Sequence, residues 1–145
     1  MPSSRIAKRA MLSLLKESTP QVIYELGSGW GGMAIKLAKT FPQAKVVAFE
    51  LSPIPYLYSK ILSPRLNNLN FRRRDFLKED LAKADTIVCY LFPKGMELLE
   101  KKLQKQTVIS NSFALPNRKP AQTLYVDDFS STPIYRYDLG ISETL

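Results

Sequence analysis

The chain has 145 residues, with 21 Lys and Arg against 13 Asp and Glu, a net charge of +8. Its length suits a single domain, and 45% hydrophobic residues exclude a disordered chain. It contains no histidine and a single cysteine, Cys89, which excludes an internal disulfide and nearly every zinc or redox-metal site, so we expect no metal. The positive charge is either a generic basic surface or favours acidic partners.

The chain also lacks the usual membrane signals. No apolar run approaches the roughly 18 residues that a membrane-spanning helix needs. The first residues have no apolar core of the kind found in signal peptides. We therefore expect a cytoplasmic protein.

The first predicted element is an amphipathic helix within residues 1–18. Apolar residues recur there at four-residue spacing, and the basic residues Arg5, Lys8, Arg9 and Lys16 fall mostly on the other side. We expect the helix to pack on its own domain. Peripheral contact of this basic helix with a membrane is the alternative.

Strands then alternate with helices. The pattern predicts strands over residues 22–26, 45–50, 69–73, 85–91 and 107–112, and helices over residues 33–41, 55–62 and 95–104. Two further β-rich runs, residues 122–126 and 134–138, have the form of a closing antiparallel hairpin. We expect an α/β fold over residues 1–145, with a mostly parallel seven-stranded sheet and helices on both faces.

A glycine-rich turn follows the first strand, from Glu25 to Gly32. Gly27, Gly29 and Gly32 satisfy a dinucleotide-binding pattern, so glycine spacing alone permits either NAD or S-adenosylmethionine (SAM). The charge of Glu25 distinguishes the two, because an anion repels a pyrophosphate but suits the cationic ammonium and sulfonium of SAM.

Two further observations bear on the cofactor. Glu50 ends the second strand, where a carboxylate can accept hydrogen bonds from ribose hydroxyls in both NAD and SAM folds. Too few residues follow the fourth strand for the substrate domain of a dehydrogenase. SAM is therefore the expected cofactor, and an NAD-type nucleotide-binding module without this activity is an alternative.

With these motifs, the chain resembles the class I SAM-dependent methyltransferases over nearly its whole length. The resemblance implies that the turn, with Ser28, Trp30 and Gly31 beside Gly27 and Gly29, holds the methionine moiety of the cofactor. It also implies that Glu50 binds the ribose, and that Leu51, Asp75 and Phe76 hold the adenine. Trp30 departs from the family pattern, since an Asp commonly follows the second glycine; an indole there would shield the donor pocket or close over its methionine end.

A narrower resemblance rests on residues 50–53, 75–78 and 92–93. These segments look like the ATP synthase c-subunit lysine methyltransferase family and its prokaryotic relatives, which implies methyl transfer to a protein lysine. A protein substrate is therefore expected.

The acceptor site is expected at the end of the fourth strand. Tyr90, Phe92 and Pro93 stand where many amino-methylating relatives carry an Asn or Asp followed by Pro-Pro and an aromatic residue. The missing Asn or Asp disfavours amide-like acceptors such as adenine. A desolvated aromatic site instead lowers the pKa of a lysine amine from about 10.4, which favours the lysine acceptor.

Several alternatives stay open at this point. Phe92 could instead pack in the core, and Tyr56 and Tyr58 could belong either to the rim of the site or to the core. The basic segments at residues 72–74 and 101–105 could contact phosphates, which keeps a nucleic-acid methyltransferase as the alternative function.

Overall fold

The computed structural model describes residues 4–27, 29–62 and 65–140. These residues form one seven-stranded sheet in the order β3-β2-β1-β4-β5-β7-β6. The strands are β1 Val22–Leu26, β2 Lys45–Phe49, β3 Leu69–Arg72, β4 Thr86–Cys89, β5 Thr107–Asn111, β6 Gln122–Tyr125 and β7 Pro133–Asp138. The helices are α1 Arg5–Leu15, α2 Gly32–Thr40, α3 Pro53–Leu62 and α4 Pro93–Glu100, with short 3-10 turns at Phe76–Lys78 and Leu81–Lys83.

The pairing of the strands matches the predicted fold class. Strands β1 to β5 pair in parallel, whereas β7 pairs antiparallel with both β5 and β6. The hairpin of β6 and β7 therefore forms one edge of the sheet. Its second strand, β7, lies next to β5, and its first strand, β6, is the edge strand. The order reverses at β1 and β4, which places the carboxyl ends of these two strands at the crevice where ligands bind in open α/β sheets.

Both faces of the sheet are buried, which explains the continuous apolar character of its central strands. In β1, Ile23 faces a core shared with α1 and α2, whereas Tyr24 and Leu26 face a second core shared with α4. Glu25 has the same parity as Ile23, so its carboxyl group is directed to the side of α1 and α2.

Helix α1 lies on the face that Ile23 also occupies. Ser4 caps its N-terminus by accepting a hydrogen bond from the backbone NH of Ala7. Four apolar side chains of α1 are buried against the domain, whereas Ile6 on the same helix is 47% exposed; the buried ones are Ala7, Met11, Leu14 and Leu15. Among the described residues no helix is both long and apolar enough to cross a bilayer.

Helix α4 differs most from the predicted boundaries: it begins at Pro93, two residues before the predicted start, and ends at Glu100, four residues before the predicted end. Strand β4 ends at Cys89 instead of Leu91, because Pro93 starts α4 two residues earlier than predicted and the chain leaves the sheet to reach it. The sequence patterns did not predict the two 3-10 turns. Asp75 and Asp80 cap these turns by accepting hydrogen bonds from the backbone NH groups of Leu77 and Ala82.

Candidate functional site

The glycine turn has the backbone conformation that its composition predicts. Gly27, Gly29 and Gly31 all have positive φ angles, of 71°, 56° and 87°. L-residues with a Cβ atom rarely adopt this conformation, so three left-handed residues in five positions require glycine. The turn thereby brings bare backbone to the mouth of the crevice. Ser28, the residue between the first two of these glycines, lies outside the described residues.

Two side chains hold the turn in place. Glu50 accepts a hydrogen bond from the Gly29 NH at 2.8 Å through Oε1 and one from the Ser52 NH at 3.0 Å through Oε2. The Ser59 hydroxyl donates to the Gly29 carbonyl at 3.2 Å. Glu50 thus joins the turn to the end of β2, and its carboxylate oxygens keep further lone pairs for ligand hydroxyls.

A cleft of about 440 Å³ opens beside the turn. Its size falls in the range of small-molecule and cofactor sites. It is lined by Lys8, Met11, Glu25, Leu26, Gly27, Gly29, Trp30, Gly32, Met33, Glu50, Tyr58, Val88, Cys89, Tyr90 and Phe92. Seven of the residues predicted from the sequence are therefore brought together here: Glu25, Gly27, Gly29, Trp30, Glu50, Tyr90 and Phe92.

Glu25 is the most unusual group in the cleft. Its side chain is 4% exposed, and among the described residues its Oε2 finds no hydrogen-bond partner. Burial raises the pKa of the Glu25 carboxyl from 4.5 to about 8; nearby Lys8 opposes this rise and Glu50 adds to it. The carboxyl group is therefore largely protonated at neutral pH without a ligand, and a cation placed against it would favour its ionised form.

Lys8 lies in the cleft although the sequence pattern placed it on the outer side of α1. Its ammonium nitrogen is 2.6 Å from the position that a Cβ atom on Gly32 would occupy, so it lies at the start of α2. The helical spacing did contain the signal, because Lys8 is three residues before the buried Met11 and seven before the buried Leu15. Lys8 therefore shares the buried face of α1.

Trp30 and Tyr58 form one rim of the cleft. Their rings meet edge to face with centroids 5.1 Å apart, and about half of each side chain is exposed. Tyr56, on the same helix, packs instead on the small core cluster that contains Phe71. Of the two tyrosines for which rim and core were alternatives, Tyr58 is at the rim and Tyr56 is on the core side.

The chain after β4 contributes two further aromatic side chains to the cleft. Tyr90 stacks on Phe113 with centroids 6.4 Å apart, and Phe92 contacts the same ring edge to face at 5.8 Å. Phe92 is 72% exposed, which contradicts the alternative that it packs in the core. Phe113 follows β5, and the sequence analysis missed it. Pro93 begins α4 and is not among the described residues that line the cleft.

The predicted adenine-binding residues lie outside the cleft lining. Leu51 is exposed, and Asp75 and Phe76 are half-buried at the first 3-10 turn, where Asp75 Oδ1 accepts from the Leu77 NH. Gly31 is also absent from the cleft lining, because it is buried. The roles of these residues in adenine and methionine binding remain predictions. Among the described residues, no group of three His, Cys, Asp or Glu side chains could hold a metal ion.

A family model for the ANTKMT methyltransferase domain matches residues 25–122 of the chain. The chain belongs to this family. The match begins at Glu25 and includes the turn, Glu50 and the end of β4. It confirms the predicted class I methyltransferase, and the predicted cofactor, SAM, is the methyl donor that such a domain uses.

The chain is also similar to methyltransferases of several kinds. A protein-lysine N-methyltransferase of Saccharolobus islandicus is 25% identical, in a match that covers 97% of this chain and 92% of the relative. A probable ribosomal RNA small subunit methyltransferase A of Methanosphaera stadtmanae is 30% identical; the match covers 86% of this chain and 48% of that one. A crystal structure of a Salinibacter ruber RNA methyltransferase in complex with S-adenosylhomocysteine is similar at a TM-score of 0.83 and 24% identity, covering 100% of this chain and 99% of that chain. This similarity confirms the predicted fold.

The residues of the cleft fit SAM. Its methionine moiety carries one ammonium and one carboxylate group, and the cleft offers one buried carboxyl with an unpartnered oxygen and one lysine. The left-handed glycines leave backbone open to a ligand, where any Cβ would intrude. Glu25 and Lys8 together therefore match the two charges of the methionine moiety.

Proposed function

We propose that this protein is a SAM-dependent methyltransferase that methylates the side-chain amine of a lysine in a protein substrate. The observation that carries the proposal is that one cleft contains both kinds of group. A buried carboxyl and a lysine line it together with the aromatic side chains Tyr90 and Phe92, which pack against Phe113. The Saccharolobus relative, a protein-lysine N-methyltransferase, supports the choice of acceptor.

Glu25, Lys8 and Glu50 would hold the cofactor. The Glu25 carboxylate would accept the ammonium group, which gives its unpartnered Oε2 a donor and its charge a partner. Lys8 would pair with the carboxylate of the methionine moiety. Glu50, already fixed by two backbone NH groups, would accept from the ribose hydroxyls with its remaining lone pairs.

The bound cofactor supplies an activated methyl group on a sulfonium centre. The chain must then orient a neutral amine in line with that methyl group and exclude water. Tyr90 and Phe92, supported by Phe113, would surround the lysine stem and lower the pKa of its amine by desolvation. Tyr90 and Phe92 would keep the amine nitrogen facing that methyl group, and the proton that the amine loses on transfer would pass to solvent.

Calorimetric titration tests the cofactor half of the proposal. SAM and S-adenosylhomocysteine are expected to bind, whereas NAD is not. Lys8→Met should weaken SAM binding by about tenfold, the effect of losing one charged hydrogen bond. Methylthioadenosine, which lacks the amino acid part, should bind Lys8→Met and the wild type equally. Arg9→Met, on the exposed side of α1, is the matched control and should bind SAM normally.

Failure of SAM to bind the wild-type protein would contradict the function itself. Normal SAM binding by Lys8→Met would contradict only the role of Lys8. A loss of methylthioadenosine binding in Lys8→Met would show that the substitution acts on the fold of the turn and not on the carboxylate.

Radiolabelled SAM incubated with cell lysate tests the acceptor half. We expect label in protein that survives nuclease and is lost to protease, and amino acid analysis should recover it as methylated lysine. Label that is lost to nuclease would contradict the lysine acceptor.

RNA methylation is the second candidate function, and a specific charge cluster favours it. Lys36 on α2 has a pKa lowered by desolvation and by repulsion from Lys8, Arg9 and Arg5, so cations crowd one side of the site. Such a cluster suits phosphates. Against it, the end of β4 reads Tyr-Leu-Phe-Pro and offers no Asn or Asp to hold a base amino group. Nuclease-sensitive label in the lysate experiment would favour this candidate.

A further inference from the structure

Helix α3 presents an apolar surface to solvent. Ile54, Leu57, Tyr58 and Ile61 recur at helical spacing and are 70%, 52%, 48% and 74% exposed. We call these four residues the α3 face. A helix normally turns such a stripe toward the core, and monomeric proteins rarely leave a contiguous apolar patch open. The α3 face therefore calls for a partner.

The inner side of the same helix is the more polar one. Ser59 is buried and donates to the Gly29 carbonyl, and Tyr56 packs beside the core cluster of Phe71. Helix α3 is thus held to the domain by Ser59 and Tyr56, while its aliphatic residues point away. Ile54, Leu57 and Ile61 therefore point outward because the opposite side of α3 is the one held against the domain.

The α3 face continues to the rim of the cleft. Tyr58 belongs to both, and it contacts the indole of Trp30 edge to face. Leu51, just before α3, is also exposed. Aliphatic side chains bordered by a half-exposed Trp and Tyr match the arrangement of residues at membrane interfaces, where amphipathic rings sit at headgroup level.

The sequence segment that contains α3 is basic. Between Glu50 and Asp75 the sequence contains five basic residues and no acidic one. Arg73 donates to the carbonyl of Leu51 at 3.2 Å, which places its guanidinium group beside the exposed Leu51. Lys60 lies on α3 itself and is exposed; its ammonium donates to the Tyr56 hydroxyl at 3.3 Å, so it lies on the flank of α3 between the inner side and the α3 face. An apolar stripe bordered by Arg and Lys suits an anionic bilayer surface.

We infer that the α3 face is a docking site for an anionic phospholipid bilayer, with its aliphatic residues entering the headgroup region and Lys60 and Arg73 contacting lipid phosphates. RNA fits less well, because single-stranded RNA is bound by stacking on aromatic rings, and three of the four side chains are aliphatic. An acidic protein surface would match the charge but not the aliphatic stripe. The inference is independent of the methyl acceptor.

Vesicle binding by the full chain tests the inference. Vesicles of phosphatidylglycerol should co-sediment with the protein, whereas vesicles of phosphatidylcholine should not. Trp30 is the single Trp of the chain, so its emission should shift to shorter wavelength on binding and be quenched by brominated lipid. The triple variant Ile54→Ser, Leu57→Ser, Ile61→Ser should weaken binding by about a hundredfold or more, since each lost aliphatic group is worth roughly tenfold.

Two controls locate the effect. Phe129→Ser removes a fully exposed apolar ring from the connection between β6 and β7, at the opposite edge of the sheet, and should bind vesicles normally. SAM binding by the triple variant should equal that of the wild type, which shows that it is folded. Lys60→Glu combined with Arg73→Glu should weaken binding to phosphatidylglycerol vesicles by about tenfold or more, at about 1 kcal/mol for each basic residue near the surface.

The inference is overturned if wild-type protein ignores phosphatidylglycerol vesicles, or if it binds neutral and anionic vesicles equally. It is also overturned if Phe129→Ser loses binding as strongly as the triple variant. A wild-type dimer that the triple variant dissociates, without vesicle binding, would assign the α3 face to a second copy of the chain. Tight binding of a single-stranded RNA that the triple variant loses would assign it to RNA.

Discussion

Replacement of Glu25 by Gln should stabilise the ligand-free protein and weaken its cofactor binding. The carboxyl group is 4% exposed with an unpartnered oxygen, and burial raises its pKa from 4.5 to about 8. Because the folded state holds this proton more strongly than the unfolded chain, the contribution of Glu25 to stability is fully present below about pH 4.5 and is lost as pH rises through about 8. At full ionisation the loss corresponds to roughly 5 kcal/mol.

Glutamine has the shape of the protonated carboxyl group and stays neutral. The variant should therefore match the wild type near pH 5 and exceed it by roughly 3–5 kcal/mol at pH 9, or about 10 °C in melting temperature. In the opposite direction, loss of the charge that pairs with the ammonium group should weaken SAM binding by about tenfold to a hundredfold. Chemical denaturation at several pH values and calorimetry measure the two effects.

Glu50→Gln is the matched control with the opposite expected sign. Both oxygens of Glu50 accept from backbone NH groups, and an amide nitrogen cannot replace either acceptor. The variant should lose about 1–3 kcal/mol of stability. The reasoning is refuted if Glu25→Gln gains no stability between pH 5 and pH 9, or if the variant binds SAM as tightly as the wild type.

Three further predictions concern the turn and the acceptor side. Binding of SAM should release up to one proton per molecule below pH 8, because Glu25 must ionise, and the affinity for SAM should fall as pH falls. Calorimetry in buffers of different ionisation enthalpy measures the proton release and the affinity. Glu25→Gln should abolish the proton release and the pH dependence. Gly31→Ala should lower the free energy of unfolding by about 1–3 kcal/mol or more, because residue 31 has φ +87° and its Cβ would lie 2.8 Å from the Ser59 hydroxyl. The Cβ of Gly29→Ala would meet no atom within 4 Å, so this variant should lose less stability in thermal denaturation. Tyr90→Phe should slow methyl transfer at unchanged SAM affinity, and equal rates would rule out a role for the hydroxyl group.

The sheet was predictable because its information is local and repeated. Apolar strands alternating with amphipathic helices permit few arrangements. The C-terminal hairpin was predictable because two β-rich runs follow one another there without a helix between them. Two of the boundaries that were wrong, the end of β4 and the start of α4, depend on Pro93, which allows a helix to begin at its own position. Sequence periodicity does not record where a chain leaves a sheet.

The site was predictable where one residue type is obligatory, and less so where the environment decides. The glycines of the turn and the carboxylate at the end of β2 are recognisable in the sequence. The turn needs residues that adopt a positive φ angle, and the end of β2 needs an acceptor for the Gly29 NH. The charge of Glu25 did not, since a carboxyl group that reads as an anion in the sequence is largely neutral once buried. Lys8 and Phe113 come from distant parts of the chain, and only tertiary packing brings Lys8 into the cleft lining and Phe113 against the rings of Tyr90 and Phe92.

The position of Lys8 joins cofactor binding to the packing of α1. The family match begins at Glu25, so α1 lies outside the matched residues, yet Lys8 on this helix lines the cleft and moderates the pKa of Glu25. Met11 and Leu15 hold the same face of α1 in the core, which fixes where the Lys8 stem begins. A domain without α1 would keep the turn and Glu50 but would leave Glu25 without its nearby cation. The helix therefore contributes to the charge balance of the cleft as well as to the core, and both contributions come from one buried stripe.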